Sequence, residues 1–507
     1  MSASVSIMSF TPFAARLFAC LATGLALIDG VIAANCCSKL NSALPDLVFL
    51  PNTSSYASLN THRWSNTSIL SPSCIVTPAS ARDVSSIVKT LTIGNNCAFS
   101  IKSGGHNPNT GFNNIDNGVT VDLKLLNQAT LAADKTFVTL GAGTTMGQAY
   151  AAVSNSGVAF PGGICDGVGV GGISTGGGQS FFLPKVGWVV DNIIRYEVVL
   201  ASGVIVEASQ TRNSDLYKAL KGGSTNFGIV TKVDIAAFPH DGFWGGQIVV
   251  PATNVTTAQV LERVSNFTAA NNDNVDAAVM IVASYTPDGN RIIDMGIAST
   301  DNTENPPILA PWFEVKPQLL NTVAHKSLAN FVHEVTQPMP DGYRMLTASL
   351  TVKNDLETLK QVQAVTDALY EQVKDKVPGL DWMFSYNPQP KVLATHSAKR
   401  GGNSLGLAGL SHDQILFWLV PRWTDKASDA LMHEIAASWV QEVNHITSQL
   451  GTSDPFVYLN HAGYFQKPLC GTGSENMKFL KGVADKYDPR KMFQRLVPGG
   501  HKISTKC

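Results

Sequence analysis

Glycine constrains this chain more than any other feature. Of 43 glycines in 507 residues, 22 fall between Gly104 and Gly228, about a quarter of the length. Such density is used where the backbone must turn with positive φ or approach a ligand closely. One run reads Lys102-Ser-Gly-Gly-His106-Asn-Pro-Asn-Thr-Gly111, and a second extends from Pro161 to Gly178. In the first, two glycines expose backbone N–H groups in a tight turn, a concave donor set suited to anionic oxygens, with His106 placed against whatever that turn holds. The second is a long backbone-rich wall, able to lie close to a flat ring or a diphosphate. It departs from the dinucleotide fingerprint, because no long helix pattern follows and no acidic residue stands at ribose distance. The Gly-Lys-Ser/Thr ending of a P-loop is missing too.

Between the glycines, short apolar stretches at 119–123, 137–140, 196–200, 204–207 and 229–235 read as strands, with 215–220 as a short helix. From about Phe243 the texture changes. Alternating stretches at 246–250, 277–283, 291–298 and 414–420 sit among two periodic helices. One carries Leu356, Leu359, Val362, Val365, Leu369 and Val373; the other carries Leu431, Ile435, Trp439, Val443, Ile446 and Leu450. A chain of this length is expected to hold more than one core. The pattern predicts an α+β protein whose second part is an antiparallel sheet backed by helices.

Ahead of the glycines, Arg16 precedes the apolar stretch 17–27, and small residues follow at Val31, Ala33 and Ala34. This is the pattern of a secretory leader cleaved near Ala33 or Ala34, too short to span a bilayer comfortably and interrupted by Asp29. Export agrees with the early cysteines Cys36, Cys37, Cys74 and Cys97, among which three pairings are open. They lack the CxxC spacing of a zinc site, and no metal is expected. Asn52, Asn66, Asn254 and Asn266 begin glycosylation sequons. A formal charge of −1, with no run of like charge, argues against a nucleic-acid partner or a polybasic membrane contact.

In their order and spacing, the two glycine runs and the later Gly222-Gly-Ser-Thr-Asn-Phe-Gly228-Ile-Val230 resemble the FAD-binding domain of vanillyl-alcohol oxidase (PCMH-type) flavoproteins. The likeness is strongest to the berberine-bridge-enzyme-like branch, which includes fungal FAD-linked oxidases. It runs from about Ser71 to His240. It resumes at Phe456-Val-Tyr-Leu-Asn-His461-Ala and Lys486-Tyr-Asp-Pro-Arg-Lys-Met-Phe493, which are similar to the family's closing segment. The amino-terminal pattern sets a leader over 1–33; the resemblance implies a two-subdomain PCMH-type FAD-binding domain over 34–240 and an α+β substrate domain over 241–455. A carboxyl-terminal segment over 456–507 would return to the flavin domain.

By the same resemblance, His106 carries an 8α-histidyl bond to FAD. Cys165 stands where some members form a second, 6-S-cysteinyl bond; a buried thiol or a disulfide with Cys470 is the other reading. Ser103, Gly104, Gly105, Asn107, Gly111, Val168, Gly169, Gly172, Gly176, Gly177, Gly178, Asp191, Asn192, Gly228, Ile229, Val230 and Asn460 are expected around the cofactor. The expected chemistry is hydride transfer from a substrate carbon to flavin while a base takes the adjacent proton. Carbohydrate-oxidising relatives read Tyr-x-Asn-Tyr where this chain reads Tyr458-Leu-Asn460-His461. His461 is therefore the leading candidate base, since imidazole titrates nearer neutrality than a phenol, with Tyr458 in reserve. Val168 resembles the oxygen-reactive members of the plant branch, which implies O2 as electron acceptor and hydrogen peroxide as product. The implied substrate is a small secondary metabolite. An extracellular oligosaccharide oxidase, with Trp382, Tyr386, Trp418 and Trp423 as platforms, is a second reading; a flavin-bearing surface protein with little turnover is a third.

Overall fold

The computed structural model describes residues 33–93, 96–337 and 341–507. The expected leader over 1–33 lies, but for Ala33, outside the described residues. Among those residues no helix is long and apolar enough to cross a membrane.

Three principal sheets organise the described residues. The first runs Val48–Phe49, Cys74–Val76, Val119–Asp122, Phe99–Lys102, its last three strands parallel. Parallel strands of one sheet need a crossover between them. The helix Ala81–Thr92 supplies one, capped by the Ser80 side chain and burying Val84, Ile87, Val88 and Leu91. Two disulfides, Cys36–Cys97 and Cys37–Cys74, staple the preceding helical segment to this layer, and so choose one of the three open pairings. At the carboxyl ends of adjacent strands Lys102 and Asp122 form a buried ion pair at 2.9 Å. Burial lowers the Lys102 pKa and the carboxylate opposes that shift. The next residues are Ser103, Gly104, Gly105 and His106, so this anchored strand end delivers the first glycine turn.

The second sheet is antiparallel, in the order Ala129–Leu131, Phe137–Gly141, Ile229–Ala236, Ile193–Val199, Ile205–Ser209. It takes up four of the five apolar stretches expected among the glycines; the fifth, at 119–123, lies in the first sheet. The short helix expected at 215–220 is Ser214–Gly223.

The third sheet centres on Phe243–Pro251, Arg291–Ser299, Ala277–Tyr285, Asp381–Gln389 and Gln414–Trp423, all antiparallel. The two periodic helices are Leu356–Val373 and Asp429–Leu450, joined on the same face by Asn254–Ala270. Leu359, Val362, Ile435 and Trp439 pack there with Ile281, Phe384, Phe417 and Leu419. Burying a side chain of this kind contributes about 1.5–3 kcal/mol. Because successive strand residues point to opposite faces, Met280, Val282, Met383, Trp418 and Val420 turn the other way and join the core shared with the glycine-rich part. This corrects the expected sugar platforms. Trp382, Tyr386 and Trp423 have the opposite parity and are buried against the helices, while Trp418 alone of the four faces the glycine-rich part.

After the helix Asp429–Leu450 the chain returns to the glycine-rich part and ends on a third disulfide, Cys470–Cys507. The alternative pairing of Cys165 with Cys470 is thereby overturned. Asn52, Asn254 and Asn266 are exposed. Asn66 is not equivalent to them. Its carboxamide donates to the Gly342 carbonyl and the sequon's Ser68 hydroxyl donates to the Asn107 carbonyl, so this sequon is built into the fold.

Candidate active site

The two glycine runs cross in contact. A Cβ on Gly104 would stand 2.6 Å from Gly169 N and 2.7 Å from Gly167 O, and one on Gly169 would stand 2.1 Å from Gly104 N. Only glycine fits at either position. Between them the Ser103 hydroxyl donates to the Ala142 carbonyl (2.6 Å) and accepts from Gly171 N–H (3.1 Å). Gly105 turns the chain with φ +73°. These loops floor a deep cleft. Ser103, Gly104, Gly105, His106, Asn107, Cys165, Val168, Gly169, Gly172, Gly228, Ile229, Val230, Tyr458, Asn460 and His461 all line it.

Six residues expected around the cofactor do not line the cleft. Gly111 turns with φ +84° beneath Gly499. Gly176, Gly177 and Gly178 seat the carboxyl-terminal segment instead. A Cβ on Gly176 would stand 2.0 Å from Asn460 Oδ1, one on Gly177 would stand 2.9 Å from the Tyr458 ring, and Gly178 N–H donates to the Tyr458 hydroxyl. Asp191 accepts from Trp188 N–H and from the Asn403 amide, and Asn192 donates to the Val186 and Trp188 carbonyls. Both close a turn. An acid–amide pair reads alike in sequence whether it caps a turn or holds a ribose.

One wall of the cleft is aromatic. His106 stacks on Trp64 at 4.2 Å, Trp64 stands 6.3 Å from Trp418, and Trp418 stacks on His461 at 3.9 Å. Thr347 fixes that last pair: its hydroxyl donates to the His461 carbonyl and accepts from the Trp418 indole N–H. Asn109, just beyond His106, donates to the Ala462 carbonyl and accepts from Tyr464 N–H, tying the first glycine loop to the His461 segment. Desolvation by the surrounding protein lowers the His106 pKa to about 4 and the His461 pKa to about 3, the second helped by the charge His106 would carry. Both imidazoles are therefore neutral near pH 7. The Tyr458 hydroxyl accepts from Gly178 N–H, Gln179 N–H and the Asn460 amide, yet burial pushes its pKa up to about 12. Burial, with Asp166 beside it, pushes the Cys165 thiol up to about 12 as well.

Sequence reasoning missed Trp64, Gln179 and His501. Nothing in their spacing marks them; the fold alone brings them to the cleft. Among the described residues Trp64 Nε1, Gln179 Oε1, His461 Nδ1 and His501 Nε2 line this cleft as buried polar atoms with no protein partner. Each such atom costs about 1–3 kcal/mol, a cost relieved by a ligand with polar edges.

The family model described as FAD binding domain matches residues 72–209. The FAD-dependent monooxygenase drtC of Aspergillus calidoustus is 33% identical over 483 residues, which span 93% of this chain and 90% of that relative. The FAD-dependent monooxygenase sdcF of Emericella nidulans is 33% identical over 473 residues, 92% of this chain and 98% of its own. Among solved structures, glucooligosaccharide oxidase of Acremonium strictum superposes with a TM-score of 0.75 at 18% identity, covering 94% of this chain and 99% of its own. The 6-hydroxy-D-nicotine oxidase of Arthrobacter nicotinovorans gives 0.73 at 20% identity, covering 88% and 96%. The structural likeness carries the fold, and the sequence likeness carries the family. The residues present fit FAD: crossed glycine loops where a Cβ would intrude, and unpartnered polar side-chain atoms along one cleft. The chain belongs to the family of FAD-dependent oxidoreductases that includes drtC and sdcF.

Proposed function

We propose that the chain is a secreted oxidase that holds FAD covalently through His106 and oxidises a small organic molecule, a secondary metabolite, with O2 as the final electron acceptor. The observation that carries this reading is a pair of neutral imidazoles, His106 and His461, set along one aromatic wall of a glycine-floored cleft. Bound there, FAD would supply a two-electron acceptor for a hydride leaving a substrate carbon, with O2 as the final acceptor and hydrogen peroxide as its product.

The protein's own residues do the rest. At pH values above about 4 the unprotonated His106 offers a nitrogen lone pair for a bond to the cofactor, and Trp64 fixes its plane. Cys165 lines the same cleft, but its thiol is held protonated and a thioether needs the thiolate. His106 is therefore the anchor, with a second bond at Cys165 open to measurement. His461 Nδ1, without a protein partner, takes the proton of the substrate hydroxyl. With its pKa lowered to about 3 it is a weak base, so loss of hydride from the carbon runs ahead of the proton transfer that leaves a carbonyl. Tyr458 keeps its proton and is held by three donors beside that imidazole, 4.6 Å between ring centres.

Acid precipitation of the purified protein tests the anchor. The pellet stays yellow in wild type, and His106→Ala releases the colour; peptide masses then report whether Cys165 is also modified. Anaerobic mixing with candidate substrates should bleach the flavin, and more slowly in His461→Gln. Bleaching unchanged in both His461→Gln and Tyr458→Phe would reject the assigned base and its reserve. Secretion is tested by recovery from the culture medium with a new amino terminus near Ala33, and glycosylation by the mass of Asn52, Asn254 and Asn266 peptides. The name monooxygenase carried by the relatives drtC and sdcF favours a second reading, in which one atom of O2 enters the product. Under 18O2, an unlabelled product with one peroxide per turnover supports the oxidase, and a labelled product without peroxide supports the monooxygenase.

A further inference from the structure

His501 lines the cleft, is 8% exposed, and has no part in the proposed chemistry. Its place is fixed from several sides. Its backbone carbonyl accepts from the Asn226 amide (2.9 Å), inside the third glycine run, and a Cβ on the preceding Gly500 would stand 3.4 Å from Thr225 Oγ1. Its ring meets Phe112 edge to face, 5.1 Å between centres, in the loop that continues from His106. The ring also donates to the carbonyl of Ala462, the residue after His461. That same carbonyl accepts from the Asn109 amide (2.9 Å), and its two lone pairs serve both donors. His501 therefore stands where the first glycine loop, the third glycine run and the His461 segment meet.

The contact with Ala462 decides the tautomer. Burial lowers the His501 pKa to about 4, so near pH 7 the ring holds a single proton. A carbonyl can only accept, so that proton lies on the nitrogen facing Ala462. Nε2 is buried without a protein partner and is the other nitrogen. It is left with a bare lone pair, an acceptor and not a donor. Such an atom repels the oxygens of a diphosphate, which carry no proton at neutral pH, and calls for an O–H or N–H. FAD has few of these: the N–H of its flavin ring, the hydroxyls of its ribityl chain and ribose, and the adenine amine. With the ring at the His106–His461 wall and the diphosphate at the Gly104–Gly105 turn, the part of the cofactor between them is the ribityl chain.

We infer that His501 Nε2 accepts a hydrogen bond from a hydroxyl of the ribityl chain of FAD, and so fixes the conformation of that chain between the flavin ring and the diphosphate. The inference rests on the proposed function only in setting the ring beside His106. Loss of one such hydrogen bond weakens binding by roughly tenfold.

The test uses the full chain freed of covalent attachment, His106→Ala/Cys165→Ala, so that affinity is measurable by quenching of flavin fluorescence. The probes are FAD and analogues that each lack one ribityl hydroxyl. One analogue is expected to bind about tenfold more weakly than FAD. Adding His501→Phe should weaken FAD by the same factor and leave that analogue unchanged, so that the two bind alike. His501→Gln, whose amide oxygen can accept, should restore part of the difference. A histidine needed only for packing would weaken every flavin equally, and that result overturns the inference. So does full discrimination kept in His501→Phe, or equal binding of all the flavins before it is added, which would leave Nε2 to a buried water. Loss of ADP affinity in His501→Phe, read by competition, would place the imidazole at the adenosine and overturn it too. Should the variants not hold flavin, NMR of the wild-type holoenzyme decides. The 15N resonance of His501 Nε2, assigned by its loss in His501→Gln, should be that of an unprotonated, hydrogen-bonded nitrogen; a protonated nitrogen or a free lone pair refutes the contact. Acid precipitation separates the two readings. Colour left in solution with the ranking intact removes the His106 anchor and leaves the His501 contact, and a yellow pellet with all flavins bound alike does the reverse.

Discussion

Replacing Gly169 by alanine puts a Cβ 2.1 Å from Gly104 N and 2.2 Å from Ser103 Oγ. Neither neighbour is free to yield. Ser103 Oγ is engaged at both ends by Ala142 and Gly171, and Gly104 follows a strand end anchored by the Lys102–Asp122 pair. Overpacking costs about 1–3 kcal/mol where the surroundings give way, and a contact of backbone on backbone belongs at the upper end, near ~3 kcal/mol. Three residues on, the same change has the opposite sign. A Cβ on Gly172 meets nothing within 4 Å. The residue sits inside the helix Val170–Gly176, where alanine is favoured over glycine by about 0.5–1 kcal/mol. The two variants should thus differ by roughly 4 kcal/mol when these terms are combined. Thermal unfolding followed by circular dichroism, with flavin absorbance per protein measured alongside, reads both. The ordering of midpoints is the appropriate quantity, because a chain with several cores need not unfold in one step. Gly169→Ala should melt lowest and lose flavin. Gly172→Ala should melt at or above wild type, and any flavin it loses reports a methyl group intruding on the ligand rather than on the protein. Gly169→Ala melting with wild type, or a reversed order, would refute the crossed-loop account.

Lys102→Met leaves the Asp122 carboxylate buried without its cation and should cost about 3–5 kcal/mol, most of it recovered in Lys102→Met/Asp122→Leu; equal melting of the single and double variants would count against that pair. Burial lowers the His501 pKa from 6.5 to about 4, so its contribution to stability is complete above pH 6.5 and is lost as pH falls toward 4, at up to about 1.4 kcal/mol per pH unit. The melting midpoint of His501→Gln should therefore fall less steeply than that of wild type between pH 6.5 and 4.5, and parallel curves would contradict the shift. Replacing both Cys470 and Cys507 by serine opens a bridge between residues 37 apart and should cost about 2–4 kcal/mol; hydrogen exchange should quicken over 497–507, and unchanged protection there would show that the tail is held without it.

The glycine loops were legible because glycine alone tolerates the contacts and turns they make, so its positions report backbone geometry directly. The long helices were legible for a similar reason, since Leu359, Val362 and Trp439 recur with the period of the surface they bury. What spacing cannot reveal is which of two covered faces a strand residue joins. Both faces of the third sheet are buried, so Trp382 and Trp418 look equally apolar in sequence, and only register places the second toward the cleft. Asp191 and Asn192 misled for a related reason. Their hydrogen bonds run to Trp188, Val186 and Asn403, and the last is far away in the chain. Trp64, Gln179 and His501 reach the cleft from three separate segments, and no local pattern foretells such a meeting.

The covering of both sheet faces also explains the chemistry. With helices on one side and the glycine-rich part on the other, the inward face of the third sheet meets little water, and desolvation is the largest influence on His106, His461, Tyr458 and Cys165 beside it. It pulls the imidazoles of His106 and His461 down and pushes the Tyr458 hydroxyl and the Cys165 thiol up. All four are driven to their uncharged forms by one cause. An uncharged imidazole keeps a lone pair and an uncharged phenol keeps a proton, so a single physical condition leaves an acceptor and a donor side by side at His461 and Tyr458. Letting water into this face should reverse all of these shifts together. Trp418→Ala, which removes the ring stacked on His461, is the direct perturbation. The His461 pKa, followed by NMR of the imidazole, should rise toward 6.5 in that variant, and a value unmoved from about 3 would show that something other than desolvation sets it.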